Sequence, residues 1–324
     1  MYFYSDLGLV NTKEMFDDAY KNNYAVPAFN FISIEQFNAI FDAVIEKRSP
    51  LILLVSPNLH KQLGFELIAR LVQSGVDRLK NTGIDLPVAL HLDHGMNFEQ
   101  CVKAIEYGFS SVMIDGSMLP FEENIELTRK VVDYAHSRGV TVEGELGAIA
   151  GTEEGVHKGS VDHQYTDPAM VEEFVERTKV DSLAISIGTS HGLVKIKVNP
   201  DGTFPELRYD ILEEIEKRVP GFPVVLHGAS SISPEYVEMI NKYGGKIDAA
   251  AGIPEEQIAR AAKMAVCKVN IASDGWICAM AHTRRILAEN PSAIDCRVFT
   301  LKIRPILADL YKRKIDILGS ANRT

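Results

Sequence analysis

Short apolar runs recur along this chain, and each is followed by a longer stretch in which apolar residues return at helical spacing. Eight runs are rich in β-branched residues or leucine and end at polar residues or glycine, which predicts eight strands. They are residues 25–29, 51–55, 88–92, 111–114, 140–143, 182–187, 224–226 and 267–271. The intervening stretches resemble residues 34–47, where Ser33 offers an N-cap and apolar residues line one helical face.

A βα unit repeated eight times predicts an α/β fold, specifically a closed (β/α)8 TIM barrel. Residues 51–55 are continuously apolar, as expected of a parallel strand buried on both faces. A doubly wound open sheet is the alternative, but no GxGxxG or GxxxxGK[ST] motif follows any strand. No linker interrupts the pattern, so we expect one domain over residues 1–324. Residues 300–319 predict an extra C-terminal amphipathic helix, beside the barrel or on a partner subunit.

Composition narrows the function classes. The net charge of −10 and the lack of a basic cluster argue against binding nucleic acid. No stretch approaches the roughly 18 apolar residues of a membrane span, and we expect a cytoplasmic protein. The four cysteines form no CxxC pair, so reduced thiols are expected rather than disulfides or a thiolate metal site.

Polar residues are concentrated where the predicted strands end, which is the catalytic face of a barrel. They are Asn30, Ser56, Asp93, His94, Asp115, Glu145, His191, His227 and Asn270. Any one histidine is more often structural than a ligand, but three at strand ends, each beside glycine, favour a divalent metal site. They are too far apart in sequence for a zinc finger, so only barrel closure would bring them together. His91 would support the site from behind.

Carboxylates at the same face supply proton-transfer chemistry. Asp93 adjoins a predicted ligand and would exchange a proton with a substrate oxygen, although a helix cap is the alternative. Asp115, Glu143 and Glu145 would repel one another unless a cation or lysine lies among them or their pKa values rise. The glycine-rich loop 147–155 is predicted to be either a lid carrying a carboxylate or a solvated surface loop. Residues 228–231 and 271–273 follow the last two strands, the usual phosphate site of a barrel.

These motifs together resemble the class II, metal-dependent fructose- and tagatose-bisphosphate aldolases along nearly the whole chain. The matching segments, in the family's order, are HLDHG at 91–95, SVMIDGS at 111–117, EGELG at 143–147, GTSHG at 188–192, LHGAS at 226–230 and KVNIASD at 268–274. The resemblance implies a lyase of carbohydrate metabolism, glycolysis above all, that cleaves a ketose 1,6-bisphosphate or ketose 1-phosphate into dihydroxyacetone phosphate and an aldehyde. It also implies a homodimer or higher homo-oligomer.

The resemblance assigns roles residue by residue. His94, His191 and His227 would bind catalytic Zn²⁺, although histidine ligands suit several divalent ions. Asp115 and Glu145 would adjoin an alternative metal position, for a second divalent or a monovalent cation. Asp93 would handle the C4 hydroxyl proton, and Glu153 the C3 proton. The residues around the substrate would be Asn30, Ser56, Gly192, Lys195, Gly228, Ser230, Asn270, Ala272, Ser273 and Trp276.

Two substitutions concern the aldehyde half of the substrate. Ala272 stands where fructose-bisphosphate members carry a carboxylate, as in tagatose-type enzymes, and Trp276 stands where an arginine would meet the distal phosphate. Loss of a guanidinium–phosphate contact would weaken bisphosphate binding by about 1.5 to 3 kcal/mol per hydrogen bond. A tagatose-bisphosphate aldolase is therefore an alternative. The lid also carries Ala150-Gly151 in place of a glycine pair.

Other mechanisms use the same pocket differently. A metal hydrolase would use zinc-bound hydroxide with Asp93 as base, and a sugar-phosphate sensor would keep the pocket without turnover. A class I aldolase would need a Schiff-base lysine. We expect no lysine inside an apolar strand end, where its pKa would fall.

Overall fold

The computed structural model describes residues 2–153, 156–157 and 165–323, with the backbone alone at 152–153 and 156–157. Eight parallel strands close into a barrel in the order β1-β2-β3-β4-β5-β8-β9-β10 and back to β1. Their bounds are β1 Val26–Asn30, β2 Leu51–Val55, β3 Val88–Gly95, β4 Ser111–Ile114, β5 Thr141–Leu146, β8 Ser182–Ile185, β9 Val224–Leu226 and β10 Val266–Ile271. The predicted (β/α)8 barrel is confirmed.

Helices surround this barrel, and a 3-10 helix, Tyr4–Leu7, precedes them. They are α1 Lys13–Asn22, α2 Ile34–Lys47, α3 Pro57–Leu63, α4 Phe65–Lys80, α5 Phe98–Glu106, α6 Phe121–His136, α7 Pro168–Thr178, α8 Tyr209–Arg218, α9 Pro234–Lys242, α10 Glu255–Ala261, α11 Ser273–Glu289 and α12 Arg297–Ile317. Among the described residues, no helix combines the length and apolar character needed to cross a bilayer.

Burial explains why the strand runs are apolar. Every residue of β2 is fully buried, because one face meets the barrel interior and the other meets the helices. Burial of each such leucine or isoleucine contributes about 1.5 to 3 kcal/mol before the entropy cost of ordering the chain. Ser33 caps α2 as predicted, with its Oγ accepting a hydrogen bond from the Gln36 amide.

The C-terminal helix α12 lies beside the barrel on α2. Ion pairs of Lys47 with Asp316 and of Arg304 with Asp42 link the two helices at their surface. Inside, the ring of Tyr311 packs on that of Phe29 in β1, with centroids 4.7 Å apart. The predicted extra helix is thus confirmed, and it completes the wall of this chain's own barrel.

Two boundaries differ from the sequence prediction in ways that shape the site. The third strand continues through Gly95, so Asp93 and His94 belong to the strand rather than to the loop beyond it. Within the glycine-rich loop, β6 Thr152–Glu153 pairs antiparallel with β7 Val156–His157. Neither feature shows in the sequence, because both depend on contacts with neighbouring segments.

Candidate active site

Strand β3 delivers two adjacent polar side chains to the barrel mouth. Side chains normally alternate between the faces of a strand, but the pairing of β3 with β4 shifts register between Leu92 and Gly95. His94 there has a φ of 51°, a costly conformation for a residue other than glycine. Asp93 Oδ1 and His94 Nε2 consequently lie 4.0 Å apart, and both residues are buried.

Barrel closure brings the three predicted histidine ligands together. One nitrogen from each of His94, His191 and His227 lies within 4.8 Å of the other two. The ring centroids are 4.8 Å apart for His94 and His227 and 5.2 Å apart for His94 and His191. All three residues are buried, so the cluster is shielded from bulk water.

The hydrogen bonds around these rings fit a bound cation. His94 Nδ1 lies 2.9 Å from Asp115 Oδ2, and His227 Nε2 lies 2.7 Å from Glu143 Oε1. Since ionised carboxylates only accept, these two nitrogens carry the ring hydrogens. The other two nitrogens, His94 Nε2 and His227 Nδ1, then face each other with lone pairs at 3.0 Å. Two imidazole lone pairs directed at each other form a donor set that a divalent metal ion can bind, so the residues present fit the metal.

Beneath His227 lies a buried ion pair that sequence reasoning missed. Lys268 Nζ is 2.7 Å from Glu143 Oε2, and both side chains are almost wholly inaccessible. Lys268 belongs to β10 and is fully buried, but it lies within the strand and not at the strand end, where we expected no lysine. The Glu143 carboxylate compensates its charge.

His91 belongs to the same buried layer, behind the three histidines, where we predicted a supporting role for it. Its Nδ1 lies 2.8 Å from Ser111 Oγ, and its Nε2 lies 3.4 Å from Lys268 Nζ. Burial, followed by the nearby Lys268 charge, holds the pKa of His91 well below its usual value. His91 is therefore a neutral hydrogen-bonding group here.

Asp93 is held by two amides and does not cap a helix. Asn30 Nδ2 donates to its Oδ2 at 3.1 Å, and Asn270 Nδ2 donates to its Oδ1 at 3.0 Å. The helix that follows is capped instead by Asn97, whose side chain accepts from the Gln100 amide. The helix-cap alternative for Asp93 is therefore wrong.

Hydrogen bonds and a neighbouring lysine accommodate the crowded carboxylates. Asp115 Oδ1 accepts from the amide and hydroxyl of Ser117, while Glu145 Oε1 accepts from the Ile149 amide at 3.3 Å. Atoms of His94, Asp115 and Glu145 lie within 4.8 Å of one another and form a second group able to hold a cation. Glu143 is neutralised by lysine, as shown above.

A cavity of about 270 Å³ opens beside the histidines. Its lining includes nine of the ten predicted substrate residues, namely Asn30, Gly192, Lys195, Gly228, Ser230, Asn270, Ala272, Ser273 and Trp276. Asp93 and Leu193 also line it, and Leu193 carried no signal in the sequence. Ser56 is absent from the lining, and its Oγ instead caps α3 by accepting from the Leu59 amide.

The phosphate-side segments approach each other very closely. Gly228 has a φ of 65°, and a Cβ there would lie 2.6 Å from the carbonyl oxygen of Ser190. Glycine at 228 therefore lets the loop after β9 pack against the loop after β8. Ser273 begins α11, and its side of the cavity faces the positive end of that helix.

The first part of the predicted lid packs directly on His191, one of the predicted metal ligands. The His191 amide donates to the Ala150 carbonyl at 2.8 Å, and a Cβ on Gly151 would lie 2.5 Å from the His191 carbonyl oxygen. Ile149 and Ala150 are buried, so residues 147–151 are not a solvated surface loop. The side chain of Glu153 and all of residues 154–155 lie outside the described part of the chain.

Comparisons with known proteins agree with this geometry. The family model described as "Fructose-bisphosphate aldolase class-II" matches residues 10–323. A fructose-bisphosphate aldolase from Treponema pallidum is 51% identical over 99% of both chains, and one from Giardia intestinalis is 39% identical over 97% of this chain and 94% of the relative. The crystal structure of the YdjI aldolase from Escherichia coli K12 superposes with a TM-score of 0.75 at 28% identity, over 97% of this chain and 99% of that one.

The family resemblance drawn from the six motifs is therefore confirmed, and aldol cleavage replaces the hydrolase and sensor alternatives. The histidine cluster, the buried aspartate and the cavity lie at the carboxyl ends of the barrel strands, where barrel enzymes carry out their chemistry. This chain belongs to the class II fructose-bisphosphate aldolase family and is a lyase.

Proposed function

We propose that this chain reversibly cleaves a ketose 1,6-bisphosphate or ketose 1-phosphate to dihydroxyacetone phosphate and an aldehyde, as one domain over residues 1–324. The observation that carries the proposal is Asp93, fixed between two asparagines beside the three-histidine cluster and open to the cavity. That arrangement places a proton acceptor next to a metal site, as cleavage at a hydroxyl-bearing carbon requires.

His94, His191 and His227 would hold the metal, which we propose is Zn²⁺. When bound, the ion supplies Lewis-acid polarisation of the substrate carbonyl. Asp115 and Glu143 orient two of the ligands through the hydrogen bonds described above. The second group, formed by His94, Asp115 and Glu145, would hold an alternative or additional cation.

The proton steps are assigned to two carboxylates. In the cleavage direction Asp93 accepts the C4 hydroxyl proton and returns it in synthesis, while the Asn30 and Asn270 amides fix its orientation. Glu153 would exchange the C3 proton. This assignment is supported by the position of β6, which contains Glu153 and directly follows Gly151, whose backbone packs on His191.

Binding of the dihydroxyacetone phosphate half falls to the cavity wall around α11. Gly192, Lys195, Gly228, Ser230 and Ser273 line this wall and combine a lysine ammonium, hydroxyls and a helix start. These groups favour a phosphate dianion. Asn270 and Asn30 would contact the hydroxyls, and Ser56 would act only indirectly, through the start of α3.

The aldehyde half meets Ala272 and Trp276. The Trp276 indole Nε1 is buried and has no hydrogen-bond partner among the described residues. The indole lines the cavity but lacks the charge of a guanidinium. Ala272 supports tagatose 1,6-bisphosphate as the second candidate substrate, because it removes a carboxylate that would discriminate between hydroxyl configurations.

A panel of four ketose phosphates tests the proposal. Zinc-loaded protein is given fructose 1,6-bisphosphate, tagatose 1,6-bisphosphate, fructose 1-phosphate and xylulose 1-phosphate, and dihydroxyacetone phosphate is followed with and without a chelator. Chelator-sensitive release of dihydroxyacetone phosphate is expected, and the preferred ketose will show which aldehyde the pocket accepts. Release of inorganic phosphate without aldehyde, or no release from any ketose, would contradict the proposal.

We also propose a cellular setting and an oligomeric state. The isolated thiols of Cys101, Cys267 and Cys278 are buried and unpaired by disulfides, which suits a reducing cytoplasm. A glycolytic role and a homodimer follow from the family resemblance. Sedimentation of the purified protein tests the oligomeric state, with a single 35.9 kDa species contradicting the dimer.

A further inference from the structure

Lys314 is a buried lysine on α12 that the proposed chemistry does not use. Its side chain is only 4% exposed, although it belongs to a helix on the outside of the barrel. Its Nζ lies 2.9 Å from Ser231 Oγ, 3.0 Å from Asp274 Oδ2 and 3.1 Å from Glu255 Oε1. Three acceptors match the three hydrogens of an ammonium group, so the charge is fully engaged.

Asp274 carries this contact to the cavity wall. It is the second residue of α11, directly after Ser273, and it is equally buried. Its two carboxylate oxygens accept from the backbone amides of Ser231 at 3.0 Å and Ile232 at 2.8 Å. One carboxylate therefore ties the start of α11 to the loop that follows β9.

The loop after β9 is strained at the point where it is held. Ile232 has a φ of 46°, a conformation that β-branched residues rarely adopt. The segment behind it leaves no room to relax, since a Cβ on Gly252 would lie 1.7 Å from the Ser231 carbonyl oxygen. Such strain persists only when surrounding contacts fix the backbone, and Asp274 with Lys314 provides those contacts.

We infer that Lys314 is a positioning residue for the phosphate of the substrate, an inference that rests on the proposed function. By holding Asp274 and Ser231, it fixes the spacing between the loop at 228–231 and the start of α11, which place Gly228, Ser230 and Ser273 in the cavity wall. It also neutralises Asp274, whose charge would otherwise lie beside the segments that receive a phosphate dianion. The C-terminal helix thus contributes to substrate binding without reaching the cavity.

The test uses the zinc-loaded full chain and the variant Lys314→Met. Since the phosphate is held equally in the ground and transition states, KM should rise about tenfold while kcat changes little, the loss expected for a charge-assisted contact. Lys312→Met is the matched control, because Lys312 lies on the same helix and pairs with Glu46 and Asp309 at the surface. Its KM should equal that of the wild type.

A double variant separates positioning from simple destabilisation. In Lys314→Met/Asp274→Asn the unpaired buried charge is gone, while the amide oxygen can still accept from the loop backbone. KM should therefore recover in part, to the extent that Lys314 acts by neutralising Asp274. A general loss of packing would make the double variant worse than either single one. Ser231→Ala, which removes one acceptor of the lysine and keeps both charges, provides a milder second variant, with KM expected to rise about threefold.

Binding of inorganic phosphate keeps this inference distinct from the proposed function. Calorimetric titration should show phosphate affinity about tenfold lower in Lys314→Met than in wild type or Lys312→Met. If no ketose phosphate is cleaved but this difference appears, the proposed function fails and the positioning role stands. If cleavage occurs with KM and phosphate affinity unchanged in Lys314→Met, or with kcat alone reduced, the positioning role is wrong.

Discussion

Glu143 uses its two carboxylate oxygens on opposite sides, with Oε1 at 2.7 Å from His227 Nε2 and Oε2 at 2.7 Å from Lys268 Nζ. The lysine compensates the carboxylate charge, and the carboxylate orients the histidine and fixes its tautomer. The orientation of His227, a proposed metal ligand, therefore depends on a lysine in the layer beneath it.

Removal of this buried lysine should weaken metal binding. In Lys268→Met the Glu143 charge loses its partner, and we expect zinc affinity to fall about 10- to 100-fold. Competition with a chelating dye measures it. Lys263→Met, at an exposed lysine that precedes β10, is the control and should bind zinc as the wild type does. Equal affinity in all three proteins would show that His227 is oriented without the ion pair.

Variants of Asp93 and of the histidines should show that proton transfer and metal binding depend on different residues. Asp93→Ala is expected to lower kcat by about 10²- to 10⁴-fold, the usual contribution of general acid–base catalysis. One zinc ion per chain should remain bound. His94→Ala should lose zinc and activity together. Metal content and steady-state cleavage rates distinguish the two, and loss of zinc from Asp93→Ala would refute this division.

Trp276 should determine how well a second phosphate is accepted. Trp276→Arg supplies a guanidinium at the cavity wall, so activity on fructose 1,6-bisphosphate should rise about tenfold relative to fructose 1-phosphate. Ala272→Asp, alone or combined with it, should shift preference between the fructose and tagatose substrates. An unchanged ratio of kcat/KM values for bisphosphate and monophosphate would place the distal phosphate elsewhere.

His282 should make stability fall in mildly acidic solution. Burial, with the neighbouring Arg285 charge, lowers its pKa in the folded chain. The unfolded chain takes up this proton near pH 6.5 and the folded chain only at lower pH, so stability is lost as the pH falls from about 7 to 5.

Urea unfolding of the chelated protein at several pH values measures this effect. His282→Gln should show a shallower decline of the unfolding free energy between pH 7 and 5 than the wild type. Identical slopes in the wild type and His282→Gln would remove His282 as a source of the pH dependence.

The sequence alone determined the barrel, the family and most of the cavity. Continuous apolar runs such as Leu51–Val55 signal strands buried on both faces, and polar residues at their ends mark the mouth of the barrel. These signals lie within short segments of the sequence, so they can be recognised without the structure. The three histidines could be grouped because a closed barrel brings all its strand ends to one rim.

Tertiary structure alone decided which polar groups face one another. In the sequence, Lys268 is a single charged residue within an apolar strand. Barrel closure places it against Glu143, which is far away in the sequence. Ser56 and Lys314 make the same point, because only the packed structure shows that the first caps a helix and that the second reaches inward from an outer helix. Desolvation makes an unpaired buried charge very costly, so the fold selects such pairs, and they appear only when distant segments are packed together.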